Sequence, residues 1–177
     1  PIQKNNTATN STANTPIEQT RWNGWGNVSI NKTVSPHGAK LIKSHIGKTK
    51  KLKSVSLQQV LKTVPKSRLP AALTDLNIVS TDKEVRLRHA RGQSFPDWIA
   101  MHGGDFEVFP DGVAFPESTA DVETLLTRAN EHDLIVIPFG GGTSVVGHIN
   151  PQKGSRPVLT IAMSKMDQLI DLDTESQ

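Results

Sequence analysis

Leu134-Ile135-Val136-Ile137-Pro138-Phe139-Gly140-Gly141-Gly142-Thr143-Ser144 is an apolar run that meets a proline and then opens into three glycines and two hydroxyls. The opening run is rich in β-branched residues and predicts a strand buried on both faces and central in its sheet, with neighbours that include strands from beyond Gln177. Pro138 marks the strand's end, because it has no N–H for a ladder. The glycines leave backbone N–H groups unshielded by any Cβ, so an anionic group can approach the main chain closely. Successive N–H groups turned into one concavity form an anion nest. Thr143 and Ser144 add hydroxyl donors at its rim. A plain turn needs one glycine, and each extra one costs roughly 0.5–1 kcal/mol against alanine. That cost favours a ligand, and a pyrophosphate suits these features. Spelling excludes two common nucleotide loops. A dinucleotide G-x-G-x-x-G needs glycine where Val145 stands. A Walker loop begun at Gly142 needs lysine where His148 stands.

Outward from the loop, Ser118 offers an N-cap hydroxyl and Asp121 a carboxylate at the third helical position. Val122, Leu125, Leu126 and Ala129 then repeat at helical spacing, and the helix is predicted to end near His132-Asp133. On the other side, Pro157-Val158-Leu159-Thr160-Ile161 is the next strand. Leu169-Ile170-Asp171-Leu172-Asp173 begins another. A domain rarely ends on a half-written strand, so the sequence reads as the front of a longer protein. Phe106 to Phe115 is expected as a strand pair, or one strand broken at the turn tripeptide Pro110-Asp111-Gly112. Strand, helix and strand alternate, so the class is α+β with α/β-like alternation.

The charge is split along the chain. Residues 1–74 hold 12 Lys and Arg against one acid, Glu18, a net of +11; residues 75–177 hold 8 against 16, a net of −8. Residues 1–20 are polar and expected disordered. Residues 21–105 are expected as a basic region with short helices, and 106–177 as a separate subdomain. The pair Trp22 and Trp25 is expected to pack on the body, since exposed indoles cost solubility. Ser67 to Asn77 reads as a short helix or turn. From Lys32 to Arg68 there are ten basic residues and no acid. A solvated segment is the favoured account, with a helix at Ser56–Val64 whose stripe is Leu57, Val60, Leu61 and Val64. A membrane surface is the sharper alternative. Nucleic acid is not expected, because no aromatics interleave for base stacking. Gly47-Lys48-Thr49 fails as a phosphate loop, since Ile42 stands where its first glycine belongs.

Cysteine is absent, which removes disulfide and thiolate chemistry. There is no apolar run of membrane-spanning length and no signal-like opening. A cytoplasmic chain, with peripheral membrane contact through the basic segment, is the expectation. His37, His45, His89, His102, His132 and His148 show no metal-ligand spacing, so no metal is expected. His148 follows the glycine loop; a surface or capping role is preferred to one near a ligand.

The loop Pro138–Ser144 resembles the first FAD-binding loop of the vanillyl-alcohol oxidase/p-cresol methylhydroxylase (PCMH-type) flavin fold. Within that superfamily the chain is most similar to the alkyldihydroxyacetonephosphate synthases, whose loop reads PIGGGTSV. Arg21-Trp22-Asn23-Gly24-Trp25-Gly26 resembles their opening KWNGWG. Phe106-Glu107-Val108-Phe109-Pro110-Asp111, followed by Pro116, resembles their F-x-x-x-PD and later proline, and Asp121-Val122 matches a DV before the loop. The likeness runs over residues 21–177, weakly from 30 to 80 and well from 86 on.

The resemblance implies the first part of a PCMH-type domain holding FAD between two α+β subdomains. Pro138, Phe139, Gly140, Gly141, Gly142, Thr143 and Ser144 would be the contacts to its pyrophosphate. Relatives that tether FAD often place a His in this loop, where Thr143 and Ser144 stand here, so the flavin is expected to be non-covalent. The implied reaction exchanges a fatty acyl group for a fatty alcohol on dihydroxyacetone phosphate in ether-lipid synthesis, with no net redox change. The substrate is then small or lipid-like, and a homodimer is left open. The family's catalytic Tyr and His are expected beyond Gln177, so none is assigned here; the chain has no Tyr. One stretch that is His-rich in the family reads Arg91-Gly92-Gln93-Ser94-Phe95-Pro96-Asp97 here. Other FAD-linked relatives oxidise 2-hydroxy acids. Three functions therefore stand: the synthase, a 2-hydroxy-acid oxidase or dehydrogenase, and an FAD-binding fragment without activity.

Overall fold

A computed structural model describes residues 20–30, 32–47 and 54–175. The expected tail before Thr20, and the part of the basic segment at 48–53, lie outside the described residues. The helices are α1 (Pro36–Ile46), α2 (Leu57–Leu61), α3 (Ala71–Thr74), α4 (Lys83–Arg88), α5 (Phe95–Gly103) and α6 (Thr119–Glu131). The strands are β1 (Val79–Ser80), β2 (Gly112–Ala114), β3 (Ile135–Phe139) and β4 (Val158–Ala162). They form one sheet in the order β1-β2-β4-β3, with β1 antiparallel to β2 and the other pairs parallel. Helices on a mixed sheet match the expected α+β class.

The chain passes from β3 to β4 through the glycine loop and returns to the slot between β2 and β3. Every residue of β4 is buried, from Val158 to Ala162. Among the described residues the fully buried inner strand is β4; the central place expected of β3 concerns neighbours from beyond Gln177. β3 pairs with β4 alone among the described residues, and its Pro138 is exposed. The proline explains the position, since a residue without N–H is tolerated at a sheet edge.

α6 forms as its sequence predicts. Ser118 Oγ accepts from the Asp121 N–H at 3.2 Å, and Asp121 Oδ2 accepts from the Ser118 N–H at 3.0 Å. This capping box satisfies two N–H groups at the helix start. Asp133, at φ 51°, turns the chain from α6 into β3. Leu125 and Ala129 are buried on the sheet with Leu73, Leu134, Leu159 and Ile161. Leu126 is 47% exposed, so the apolar face is narrower than the sequence stripe. The i, i+4 row through Leu125 covers the core, and Leu126 stands about 100° away from it.

A second core joins α2 to α4. Val60, Val64, Leu87, Ala90 and Phe109 are its buried members, with Leu57, Leu61 and Trp22 packed against them. The stripe on α2 is thus as expected, but the helix stops at Leu61. Pro65 disfavours a helical Val64, which shortens it. Residues 106–111 form no strand. Phe106 stacks on Phe109 at 5.2 Å and on Trp22 at 6.5 Å, so both rings are committed to this core. Only Gly112–Ala114 is extended. Leu169, Ile170 and Leu172 are 79%, 97% and 68% exposed and belong to no strand among the described residues. The strand expected there is not formed among the described residues.

Candidate cofactor-binding site

β3 delivers the chain to the loop with Phe139 buried and Gly140 exposed. The three glycines are not equivalent. Gly142 has φ +69°, and a Cβ on it would lie 2.7 Å from Phe139 Cζ, so backbone and packing both demand glycine there. A Cβ on Gly140 would meet nothing within 4 Å, and one on Gly141 only Thr143 Cγ2 at 3.6 Å. Neither has a left-handed φ. Internal packing therefore does not require glycine at either position. Among the described residues, the N–H groups of Gly141, Gly142 and Thr143 donate to no acceptor. Exposed donors with no side chain over them fit an anionic group such as a pyrophosphate.

The loop is braced from α4 and α5. The Gln93 N–H donates to the Ser144 carbonyl at 2.7 Å. A Cβ on Gly92 would stand 2.5 Å from that carbonyl oxygen, so the two backbones touch. The Gly92 N–H donates to Asn150 Oδ1 at 2.9 Å, and Asn150 Nδ2 donates to Asp97 Oδ1 at 2.7 Å. Asp97 in turn completes a capping box with Ser94 at the start of α5. The stretch Arg91–Asp97, marked in the sequence by its lack of histidine, is thus the buttress of the glycine loop.

A cavity of about 440 Å³ opens beside the loop. Phe139, Gly140, Gly141 and Gly142 form one wall; Pro138, Thr143 and Ser144 do not line it. Ser144 Oγ lies 3.1 Å from Nδ1 of the exposed His148 instead. Arg21, Gly24, Trp25 and Gly26 line the same cavity. Arg88, His89, Arg91 and Gln93, none of them singled out as site residues from the sequence, complete it. Arg88 is committed to Glu84 at 2.7 Å and to the Thr20 carbonyl at 3.0 Å. Arg91 donates to the Asp105 carbonyl at 2.9 Å and lies over the Phe106 ring at 5.9 Å.

His89 is the buried titratable group of this wall. Burial pushes its pKa down; a bond to the Val85 carbonyl opposes this, and nearby Arg88 adds to it. The net shift is downward. The neutral ring that results carries its proton on Nδ1, which bonds the Val85 carbonyl at 2.7 Å, and leaves Nε2 as an acceptor. Its ring packs 4.6 Å from Phe139, beneath the glycines. Among the described residues no cluster of three metal-ligating side chains exists, and no helix is long and apolar enough to cross a membrane.

A family described as an FAD binding domain matches residues 110–177. The alkyldihydroxyacetonephosphate synthase of Trypanosoma brucei brucei is 27% identical over 90% of this chain and 31% of its own length. The mitochondrial D-lactate dehydrogenase [cytochrome] of Arabidopsis thaliana is 33% identical over 64% of this chain and 18% of its own. A solved alkyldihydroxyacetonephosphate synthase superposes with a TM-score of 0.71 at 22% identity, covering 90% of this chain and 35% of that one. The chain thus spans about a third of the length of the synthases it matches.

Proposed function

We propose, from the match of residues 110–177 to a family described as an FAD binding domain, that the whole protein is an FAD-dependent enzyme of the alkyldihydroxyacetonephosphate synthase type. Its FAD would rest non-covalently with the pyrophosphate on the free N–H groups of Gly141, Gly142 and Thr143, beside the open face of Gly140. The observation that carries this is the open face of Gly140 and Gly141, which nothing within the chain fills. Two features favour the synthase over a 2-hydroxy-acid dehydrogenase. The likeness to the trypanosomal synthase covers 90% of the chain, against 64% for the lactate dehydrogenase. The segment 21–26, which resembles the synthases' opening, lines the same cavity as the glycine loop.

FAD, when bound, supplies the electrophilic ring on which the acyl-for-alkyl exchange turns. This chain's own residues bind and orient it. The loop N–H groups hold the pyrophosphate, and Gln93, Asn150 and Asp97 fix the loop. Neutral His89 packs beneath Phe139 without adding charge. We also propose peripheral contact of the basic segment with an anionic membrane through α1, where the lipid-like substrate resides.

The test is made on the intact protein. Incubated with acyl-dihydroxyacetone phosphate and a fatty alcohol, it should release fatty acid and form the alkyl product while its flavin stays oxidised. Anaerobic bleaching of the flavin by D-lactate, without alkyl product, would replace this reading with the dehydrogenase. Acid precipitation should release the yellow colour into the supernatant; colour retained in the pellet would refute non-covalent binding.

A further inference from the structure

The FAD binding domain match begins at residue 110, yet one wall of the cavity comes from far upstream. Residues 20–27 form a small hairpin. Thr20 bridges Asn27 antiparallel, the Arg21 N–H donates to the Gly26 carbonyl at 2.8 Å, and Gly26 turns at φ +79°. The hairpin is fastened to the body twice. Trp22 stacks on Phe106, and Arg88 Nη1 donates to the Thr20 carbonyl at 3.0 Å. Its two tryptophans have opposite fates. Trp22 is spent in the core as an anchor. Trp25 is 59% exposed, and it lines the same cavity as the unshielded glycines.

A large exposed indole held by a fastened turn is costly in water and suits a surface that a ligand covers. The same cavity offers a row of free N–H groups, which suits the anionic centre of a dinucleotide. We propose that hairpin 20–27 is the second wall of the FAD site and that Trp25 covers a flat ring of the bound cofactor. The proposal rests on the FAD reading above. Arg88 is then a positioning residue: its Nη1 holds the hairpin at Thr20 while Nε and Nη2 are held by Glu84. The cavity volume lies within the usual range for small-molecule sites.

The test is an FAD titration of the intact, flavin-stripped protein, read by tryptophan emission and by flavin bound. The exposure of Trp25 makes Trp25→Ala a safe change for folding. It should weaken FAD by about tenfold, the size of a good aromatic contact with its buried area. Trp25→Phe should lose far less affinity yet remove the share of the quenching that Trp25 contributes. Separate titrations with FMN and ADP tell which ring is covered: the half that Trp25→Ala weakens is the one beneath the indole. Gly140→Ala is the control on the loop. If Gly140→Ala weakens FAD while Trp25→Ala leaves both affinity and quenching unchanged, the hairpin proposal falls and the cofactor reading stands. If the unaltered protein takes up no FAD, both fall.

Discussion

Asp111 shows how much one side chain can organise. Read from the sequence it is part of a turn; in the structure it ties β2 to β4. Its carboxylate accepts from Arg68 Nη2 at 2.8 Å and Nε at 3.0 Å, and from the Val158 N–H at 2.8 Å. Burial pushes its pKa up, but these bonds, the Arg68 N–H and the Arg68 charge together outweigh burial and hold it below its ordinary value of 3.8. The folded state therefore binds fewer protons than the unfolded state in acid. The stabilisation is fully present above pH ~4 and is lost as pH falls through the folded pKa. Asp111→Asn should cost roughly 2–3 kcal/mol at neutral pH, by the loss of charged hydrogen bonds. Urea melts across pH should show this gap closing in acid; a gap constant with pH would refute it. The glycines allow an equally sharp separation. Gly142→Val should damage the fold itself, adding roughly 1–2 kcal/mol of left-handed strain to the clash with Phe139. Gly140→Ala should melt like the unaltered protein yet bind FAD about tenfold or more weakly, if charge-assisted N–H contacts are obstructed. A Gly140→Ala protein with unchanged FAD affinity would remove the pyrophosphate from this loop.

At the scale of elements, legibility followed locality. α6 was readable because its cap, its periodicity and its stop all lie within fifteen or so residues, and helix capping is a local bond. The strands were readable as strands but not in order. Which strand is inner depends on the partner it meets, and β4 wins that place through residues far away in sequence. Phe106 and Phe109 misled because their apolar character is spent on Trp22 rather than on a sheet. α1 carries its own expectation. None of its residues is buried; Leu41, Ile42 and Ile46 are 62%, 48% and 62% exposed, beside Lys40 and Lys43. A helix of this composition binds anionic lipid through charge and apolar contact together. Co-sedimentation with phosphatidylserine vesicles should fall on replacing Lys40 and Lys43 by glutamine and again on raising the salt. Equal sedimentation with neutral vesicles would show that α1 does not read membrane charge.

For the whole molecule, the glycine loop was legible because its chemistry is written in consecutive residues. The remaining walls were not, since Trp25, Arg88, His89 and Gln93 meet it only after folding. No spacing rule links position 25 to position 140. The same long-range logic sets the last expectation. Phe95, Val145, Val146, Leu169, Ile170 and Leu172 are 66% to 97% exposed. The outer edge of β3 has no strand against it among the described residues. Exposed large apolar side chains and an open edge both promote association. Residues 1–177 expressed alone should therefore self-associate, and should hold FAD more weakly than the intact protein, because the second of the two subdomains that the resemblance implies around FAD would be missing. Sedimentation velocity and FAD titration of the two proteins side by side decide this. A monomeric 1–177 protein with a sharp melt and the intact protein's FAD affinity would mean that these exposed residues need no cover and that the hairpin and glycine loop suffice to hold the cofactor.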